Sequence, residues 1–331
     1  MRKPFPKSMS FAEKYNRLME VVDASDTLAI LINADPDSMA SAMALKRIFV
    51  KKAREVLVYR INTIKRADNL AFMKLLAVDH EHIRYLKRRT IDKWALVDSQ
   101  PRHHEALMDQ KYNIIIDHHP ATDPLQADFL EIRDDFGANA SLMTRYLKAG
   151  KIEPSKRLAT ALFYGIKTDT HNFVWATIPN DMEAFKYLYK FTNLRTLRKI
   201  ESSEMTRDML ANYRLALERL VIRKDIAFVH MQRVSTPDIL VMMADFFMKI
   251  AEIQWSIVSG VHKDNFVVIL RNGGLRGDAG KTARRIFGRW QGTAGGRPNA
   301  ARVEIPLKNI LVADDESGLE SFLKKTIKNI E

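Results

Sequence analysis

The sequence contains no cysteine. Disulfide frameworks, thiolate nucleophiles and thiolate metal ligands are therefore excluded, and any metal has to be held by carboxylate, imidazole or water, which favours a hard ion such as manganese or magnesium. No apolar stretch approaches the roughly 20 residues that a membrane span needs; the longest near the N-terminus is Leu28-Ala29-Ile30-Leu31-Ile32. The opening Met1-Arg2-Lys3-Pro4-Phe5-Pro6 is basic, but no uninterrupted apolar segment with a small-residue cleavage site follows it, so a soluble, cytoplasmic protein without a membrane role is expected. Internal repeats and low-complexity tracts are missing too, which argues against a solenoid. Aromatic residues, at 9%, are too ordinary to mark a stacking channel for long single strands.

What is present fits a globular chain of about two domains: 331 residues, of which 46% are hydrophobic and 28% charged. Lysine and arginine number 53 against 40 acidic residues, a net charge of +13. The positive charge lies in short clusters (Lys51-Lys52, Lys65-Arg66, Lys87-Arg88-Arg89, Arg284-Arg285, Lys324-Lys325) rather than in one tail. Such a surface attracts phosphates, although an evenly basic solvated surface would give the same count.

Short β-rich runs alternate with helical patterns in the first part of the chain. Strands are expected at Leu28–Ile32, Val56–Arg60, Trp94–Asp98 and Asn113–Asp117, with helices around Ser38–Lys52, Asp68–Ala77 and Ala138–Ala149. Runs such as Ala95-Leu96-Val97 and Ile114-Ile115-Ile116 are apolar without alternation, as in strands covered on both faces. The fold class this predicts is α/β, with an N-terminal parallel sheet flanked by helices. From about Leu158 to Leu220 the pattern is helical; strands return at Ile226–Met231, Trp255–Val261, Phe266–Arg271 and Arg302–Leu307, with helices near Pro237–Ile250 and Ala279–Trp290. A smaller C-terminal α/β domain is expected there.

Acidic clusters fall at the C-terminal ends of the predicted strands, the edge at which open α/β sheets build their sites. They are Asp35-Pro36-Asp37, Asp98 and Asp117-His118-His119, with Asp169 where an apolar helix gives way to a polar loop. Each has a plainer reading: Asp35 or Asp37 as a helix cap, Asp98 in a turn toward Pro101, the histidines on the surface before Pro120, Asp169 at a helix end. Together on one edge they would repel one another, and a pair of divalent cations would resolve that repulsion and activate water for attack on phosphorus.

The residues also match a known pattern. Asp35-Pro36-Asp37-Ser38-Met39-Ala40-Ser41 resembles the D-x-D-x-x-x-S motif of the DHH phosphoesterases, Val97-Asp98 resembles their second motif, and Asp117-His118-His119 is similar to the motif that names them. Gly137-Ala138-Asn139-Ala140-Ser141 and Asp169 resemble the motifs that follow, and Gly295-Gly296-Arg297-Pro298-Asn299-Ala300-Ala301 is similar to the glycine-rich motif of the DHH-associated domain. The resemblance implies a catalytic-type domain over 1–195, a helical connector over 196–222 and a substrate-binding domain over 223–331. It implies one or two Mn²⁺ or Mg²⁺ ions, the first on Asp35 and Asp98 and the second on Asp37, Asp98, His118 and Asp169. Asp98, His118 and His119 would be catalytic, Asp117 and Ser41 would support them, and Arg271, Gly295, Gly296 and Arg297 would hold a substrate phosphate. The implied partner is a short single-stranded oligonucleotide or nucleotide, in a cleft between domains as in oligoribonucleases and 3′-phosphoadenosine phosphate phosphatases; a homodimer is compatible with the pattern.

Two positions depart from the family. Its first-motif histidine, four residues before the first aspartate, is Leu31 here, and the histidine of its glycine-rich motif is Arg297. Leu31 offers no donor atom, which weakens the first ion site, and Arg297 cannot act as a neutral acid or base. Two readings follow: a divergent metal-dependent phosphoesterase, or a catalytically degenerate protein of the same fold that binds nucleotides or nucleic acid.

Overall fold

The computed structural model describes residues 8–86, 90–108, 110–121, 124–173, 178–203, 205, 207, 209–274 and 277–310. The basic clusters Lys87-Arg88-Arg89 and Lys324-Lys325, and the opening Met1–Pro6, lie outside them. Two compact units meet in sequence at Met205 and Thr206.

The first unit contains, in chain order, α1 (Phe11–Met19), β1 (Thr27–Ile32), α2 (Pro36–Phe49), β2 (Glu55–Arg60), α3 (Ala67–Leu75), β3 (Glu81–His82), β4 (Lys93–Val97), α4 (Glu105–Met108), β5 (Ile114–Asp117), β6 (Phe129–Ile132), α5 (Asn139–Ala149), α6 (Lys156–Asp169), α7 (Pro179–Tyr189) and α8 (Leu194–Glu201). Its sheet runs β3-β2-β1-β4-β5-β6, and every pairing is parallel. The α/β expectation holds. Strand β1 is buried along its whole length, so the apolar run splits by parity. Leu28, Ile30 and Ile32 pack with α2, α5 and α6, while Ala29 and Leu31 join Tyr59, Leu96, Ile115 and Leu107 on the other face.

The order reverses between β1 and β4, which leave the sheet centre toward opposite edges. In open α/β sheets such a reversal is where loops diverge and sites are built at the carboxyl ends of the strands. The acidic motifs after β1 and β4 both fall on this point.

The second unit contains α9 (Met209–Glu218), β7 (Val221–Arg223), β8 (Ile226–Arg233), α10 (Asp238–Phe247), β9 (Trp255–His262), β10 (Asn265–Asn272), α11 (Ala279–Phe287), β11 (Thr293–Arg297) and β12 (Ala300–Pro306). Its sheet, β11-β12-β10-β9-β8-β7, is antiparallel except for the parallel pair β8 and β9. One face packs on α11 through Phe266, Val268 and Val303, the other on α10 through Val267, Ile269 and Val229. Among the described residues no helix is long and apolar enough to cross a membrane.

Candidate metal centre

Asp35 is the N-cap of α2: its Oδ1 accepts the Ser38 N–H at 2.8 Å, and Ser38 Oγ accepts the Asp35 N–H at 2.9 Å. The helix-cap reading of Asp35 is therefore correct, and it leaves the second carboxylate oxygen unassigned. Its backbone approach is set by Asn62, whose side chain accepts the Ala34 N–H at 2.7 Å and donates to the Ala34 carbonyl at 2.9 Å. Asp35 keeps an exposed face, yet the surrounding protein desolvates its carboxyl enough to raise it above the ordinary aspartate range.

Asp37 stands in the first turn of α2 and is 1% exposed. Its Oδ2 accepts the Asn139 N–H and its Oδ1 the Ala140 N–H, both at 2.7 Å. The start of α5, in the Gly137–Ser141 motif, thus presents its free N–H groups to a carboxylate, where a helix N-terminus favours negative charge. Gly165 of α6 permits this approach, since a Cβ there would lie 3.1 Å from the Asp37 Cα and 3.2 Å from the Pro36 carbonyl oxygen. Burial, then Asp98 and Asp169, push the Asp37 carboxyl well above its ordinary range.

Asp98 follows β4 in the left-handed region, φ 59°, a conformation disfavoured for a residue with a Cβ and one that turns its side chain back toward the site. Burial raises its carboxyl strongly, and Asp35, Asp169 and Asp117 add to this. Its buried Oδ1 has no hydrogen-bond partner among the described residues.

His118 supplies the clearest observation. Nδ1 lies 3.1 Å from the Phe136 carbonyl oxygen, an acceptor, so Nδ1 carries the proton and in the neutral ring the lone pair is on Nε2. Nε2 is buried and without a hydrogen-bond partner among the described residues, 3.4 Å from Asp98 Oδ1 and 3.3 Å from Asp169 Oδ2. Three electron-rich atoms facing one another require positive charge among them. Burial disfavours the imidazolium, but Asp37, Asp169 and Asp117 outweigh it and raise the His118 pKa.

Asp117, fully buried at the end of β5, spends both oxygens on neighbours. Oδ1 accepts from the His118 backbone N–H and from His119 Nδ1, each at 2.9 Å, and Oδ2 accepts from Gln100 Nε2 at 2.8 Å. Burial works against its ionisation, yet these donors, His119 first, hold it below the ordinary range. It orients the two histidines rather than offering a free oxygen. Gln100 and Asn62 belong to no motif and were not among the expected residues.

Two groups of side chains bring potential ligand atoms within 4.8 Å of one another: Asp37, His118 and Asp169; and Asp98, Asp117, His118 and His119. Hard carboxylates with one lone-pair imidazole fit a divalent cation such as Mn²⁺ or Mg²⁺. His118 belongs to both groups. Asp35 belongs to neither, although its charge acts on Asp98. Leu31 is wholly buried among apolar side chains, and Ser41, also buried, stands one turn beyond Asp37 on α2.

In the second unit, Arg271 on β10 and Arg297 on β11 are each paired in register with Ala300 of the strand between them. Directly opposed residues share a face, so the two arginines form one row, about 10 Å apart across two strand spacings. Arg271 Nε contacts Asp245 Oδ1 at 2.6 Å, and Arg297 is exposed. Gly295 and Gly296 lie within β11 rather than in a loop. Gly296 has φ 151°, and its carbonyl lies where a Cβ on Gly280 would be 2.3 Å away, so this backbone touches the start of α11. Gly295 sits beside Arg284.

Residues 28–166 match the DHH family, N-terminal domain. An uncharacterized protein of Methanocaldococcus jannaschii is 32% identical over 298 residues, 90% of this chain, and this chain spans 61% of that protein's length. An exopolyphosphatase-related protein from Bacteroides fragilis has the same fold, with TM-score 0.72, 15% identity and 98% of each chain covered. RecJ from Thermus thermophilus, in a complex with Mn²⁺, matches with TM-score 0.53 and 11% identity over 96% of this chain and 54% of that one.

Proposed function

We propose that the chain is a metal-dependent phosphoesterase of the DHH family, hydrolysing phosphate esters of short oligonucleotides or small nucleotides. The observation that carries this reading is the buried Nε2 of His118, without a hydrogen-bond partner among the described residues, between carboxylate oxygens of Asp98 and Asp169. Asp37, Asp98, His118 and Asp169 would hold a divalent cation, which would polarise a phosphoryl oxygen and acidify water. Asp117 fixes His119 through Nδ1, leaving Nε2 of that half-exposed imidazole to exchange a proton with substrate or water. In the second unit Arg271 and Arg297 would bind a phosphate bidentately, supported by the net charge of +13.

The second reading, a binding protein without turnover, draws on Leu31 in place of a ligand, on Asp35 acting as a cap, and on Arg271 engaged by Asp245. Hydrolysis of a short 5′-phosphorylated oligoribonucleotide and of adenosine 3′,5′-bisphosphate across a Mn²⁺ titration separates the two. Turnover that saturates with Mn²⁺ and vanishes in Asp98→Ala supports the enzyme. Nucleotide binding with no turnover at any Mn²⁺ concentration supports the alternative.

A further inference from the structure

The Phe136 carbonyl that fixes His118 belongs to a turn, closed by the Phe136 N–H donating to the Arg133 carbonyl at 3.2 Å. That turn is fastened from both sides. Arg133 grips Asp135 with Nε and Nη2 at 2.7 and 2.8 Å, and Asn180 donates to the Asp135 carbonyl at 3.0 Å. The Arg133 guanidinium also lies 4.9 Å from the Phe136 ring and 5.4 Å from the Phe11 ring.

Phe11 and Lys14 come from α1, far from the site in sequence. Lys14 is wholly buried, and its Nζ meets Glu131 Oε1 at 2.7 Å. Glu131, 1% exposed, also accepts from Tyr146 at 2.8 Å, and Arg133 lies 3.5 Å away. The Phe11 ring meets Phe136 edge-on at 6.3 Å. Merely attaching α1 would not require a buried ammonium, because an apolar side chain of similar volume packs without desolvating a charge. A buried ion pair does fix orientation, and here it fixes α1 over the residue whose carbonyl sets the His118 tautomer.

We propose that α1 is a positioning element of the metal centre: Lys14 and Phe11, acting through Glu131, Arg133 and Phe136, hold the His118 ring so that Nε2 faces Asp98 and Asp169. This rests on the reading of His118 as a metal ligand. Groups behind a ligand typically contribute roughly 10–100-fold to metal affinity, and Lys14 and Phe11 act one step further back.

The test measures Mn²⁺ affinity by titration calorimetry, and the His118 ring nitrogens by ¹⁵N NMR, on the full chain at a temperature where each variant is folded. Lys14→Met removes the charge at similar volume, Phe11→Leu loosens Phe136 with less risk to folding, and Lys14→Arg restores the charge. Val56→Ala, a core truncation near the amino-terminal end of β2, is the stability control. Expected are a fall in affinity of roughly tenfold in Lys14→Met and in Phe11→Leu, a mixed His118 tautomer in both, partial recovery in Lys14→Arg, and wild-type affinity in Val56→Ala. Should Lys14→Met not fold, Phe11→Leu carries the decision. Unchanged affinity and tautomer in the folded α1 variants overturn the proposal while His118→Ala still loses Mn²⁺. An unchanged affinity in His118→Ala instead removes the underlying ligand reading.

Discussion

The backbone N–H of Ala140 donates to Oδ1 of Asp37 across 2.7 Å, joining the start of α5 to the first turn of α2. With the Asn139 N–H on Oδ2, one carboxylate serves two helices and faces the metal groups. In Asp37→Asn one of those donors meets an amide NH₂ instead of an oxygen, a loss of about 1–3 kcal/mol. Relief of the repulsion from Asp98 and Asp169 offsets it, so stability in EDTA, measured by urea denaturation, should change by no more than about 1 kcal/mol. Mn²⁺ affinity of the same variant should fall at least roughly tenfold.

Gly165→Ala should act through geometry alone. The added methyl would meet Asp37 Cα at 3.1 Å and Ala140 Cβ at 3.3 Å, forcing α6 away from α2. A cost of about 1–3 kcal/mol follows from overpacking, seen as a lowered Tm. Because Asp169 closes the same helix, Mn²⁺ affinity should fall as well.

In the protein stripped by EDTA the metal groups should contribute less stability as pH rises. Burial and mutual repulsion raise the carboxyl pKa values of Asp37 and Asp98, and acidic neighbours raise that of His118 against its burial. His80, His82 and His103, lowered by burial, bind fewer protons in the folded state over the same range, but at Asp37, Asp98 and His118 the folded state binds more than the unfolded chain. That contribution is complete below the ordinary pKa values and is lost as pH climbs through the raised ones. Asp117, whose pKa is lowered, has the opposite sign and matters only at the acid end. Melting curves in EDTA should thus show a Tm slope from mildly acid to neutral pH that is more negative than in Asp98→Asn, where this contribution is reduced, and Mn²⁺ should remove the difference.

Asp245 Oδ1 engages Arg271 Nε at 2.6 Å. If that arginine binds a phosphate, Asp245→Asn frees it without touching the metal centre. KM for a nucleotide substrate should fall by roughly threefold, with kcat unchanged, since a half-exposed ion pair is worth about 0.2–1 kcal/mol. An unchanged KM would place phosphate binding elsewhere.

Much of the frame of the site was legible because its strands are unbroken apolar runs and its acids follow them directly. Strand β6 was not: Glu131 interrupts Phe129–Ile132, and its burial is made acceptable by Lys14, more than a hundred residues earlier, together with Tyr146 and Arg133. Asn62 and Gln100 were equally silent, since a lone amide carries no local pattern and acts through contacts that only the fold creates. Helix α6 also runs past Ile166 to Asp169, placing that carboxylate on a rigid element rather than in a loop. The double duty of Asp35 and Asp37, cap or site, could not be divided from spacing. Asp35 proves to cap its own helix and Asp37 the start of another.

The most direct measurement is a crystal grown with Mn²⁺ and recorded at a wavelength where manganese scatters anomalously. The account predicts a strong anomalous peak in contact with His118 Nε2 and with carboxylate oxygens of Asp98 and Asp169, lost in His118→Ala. Anomalous density only elsewhere on the protein, or a peak that survives removal of His118 unchanged, would contradict it.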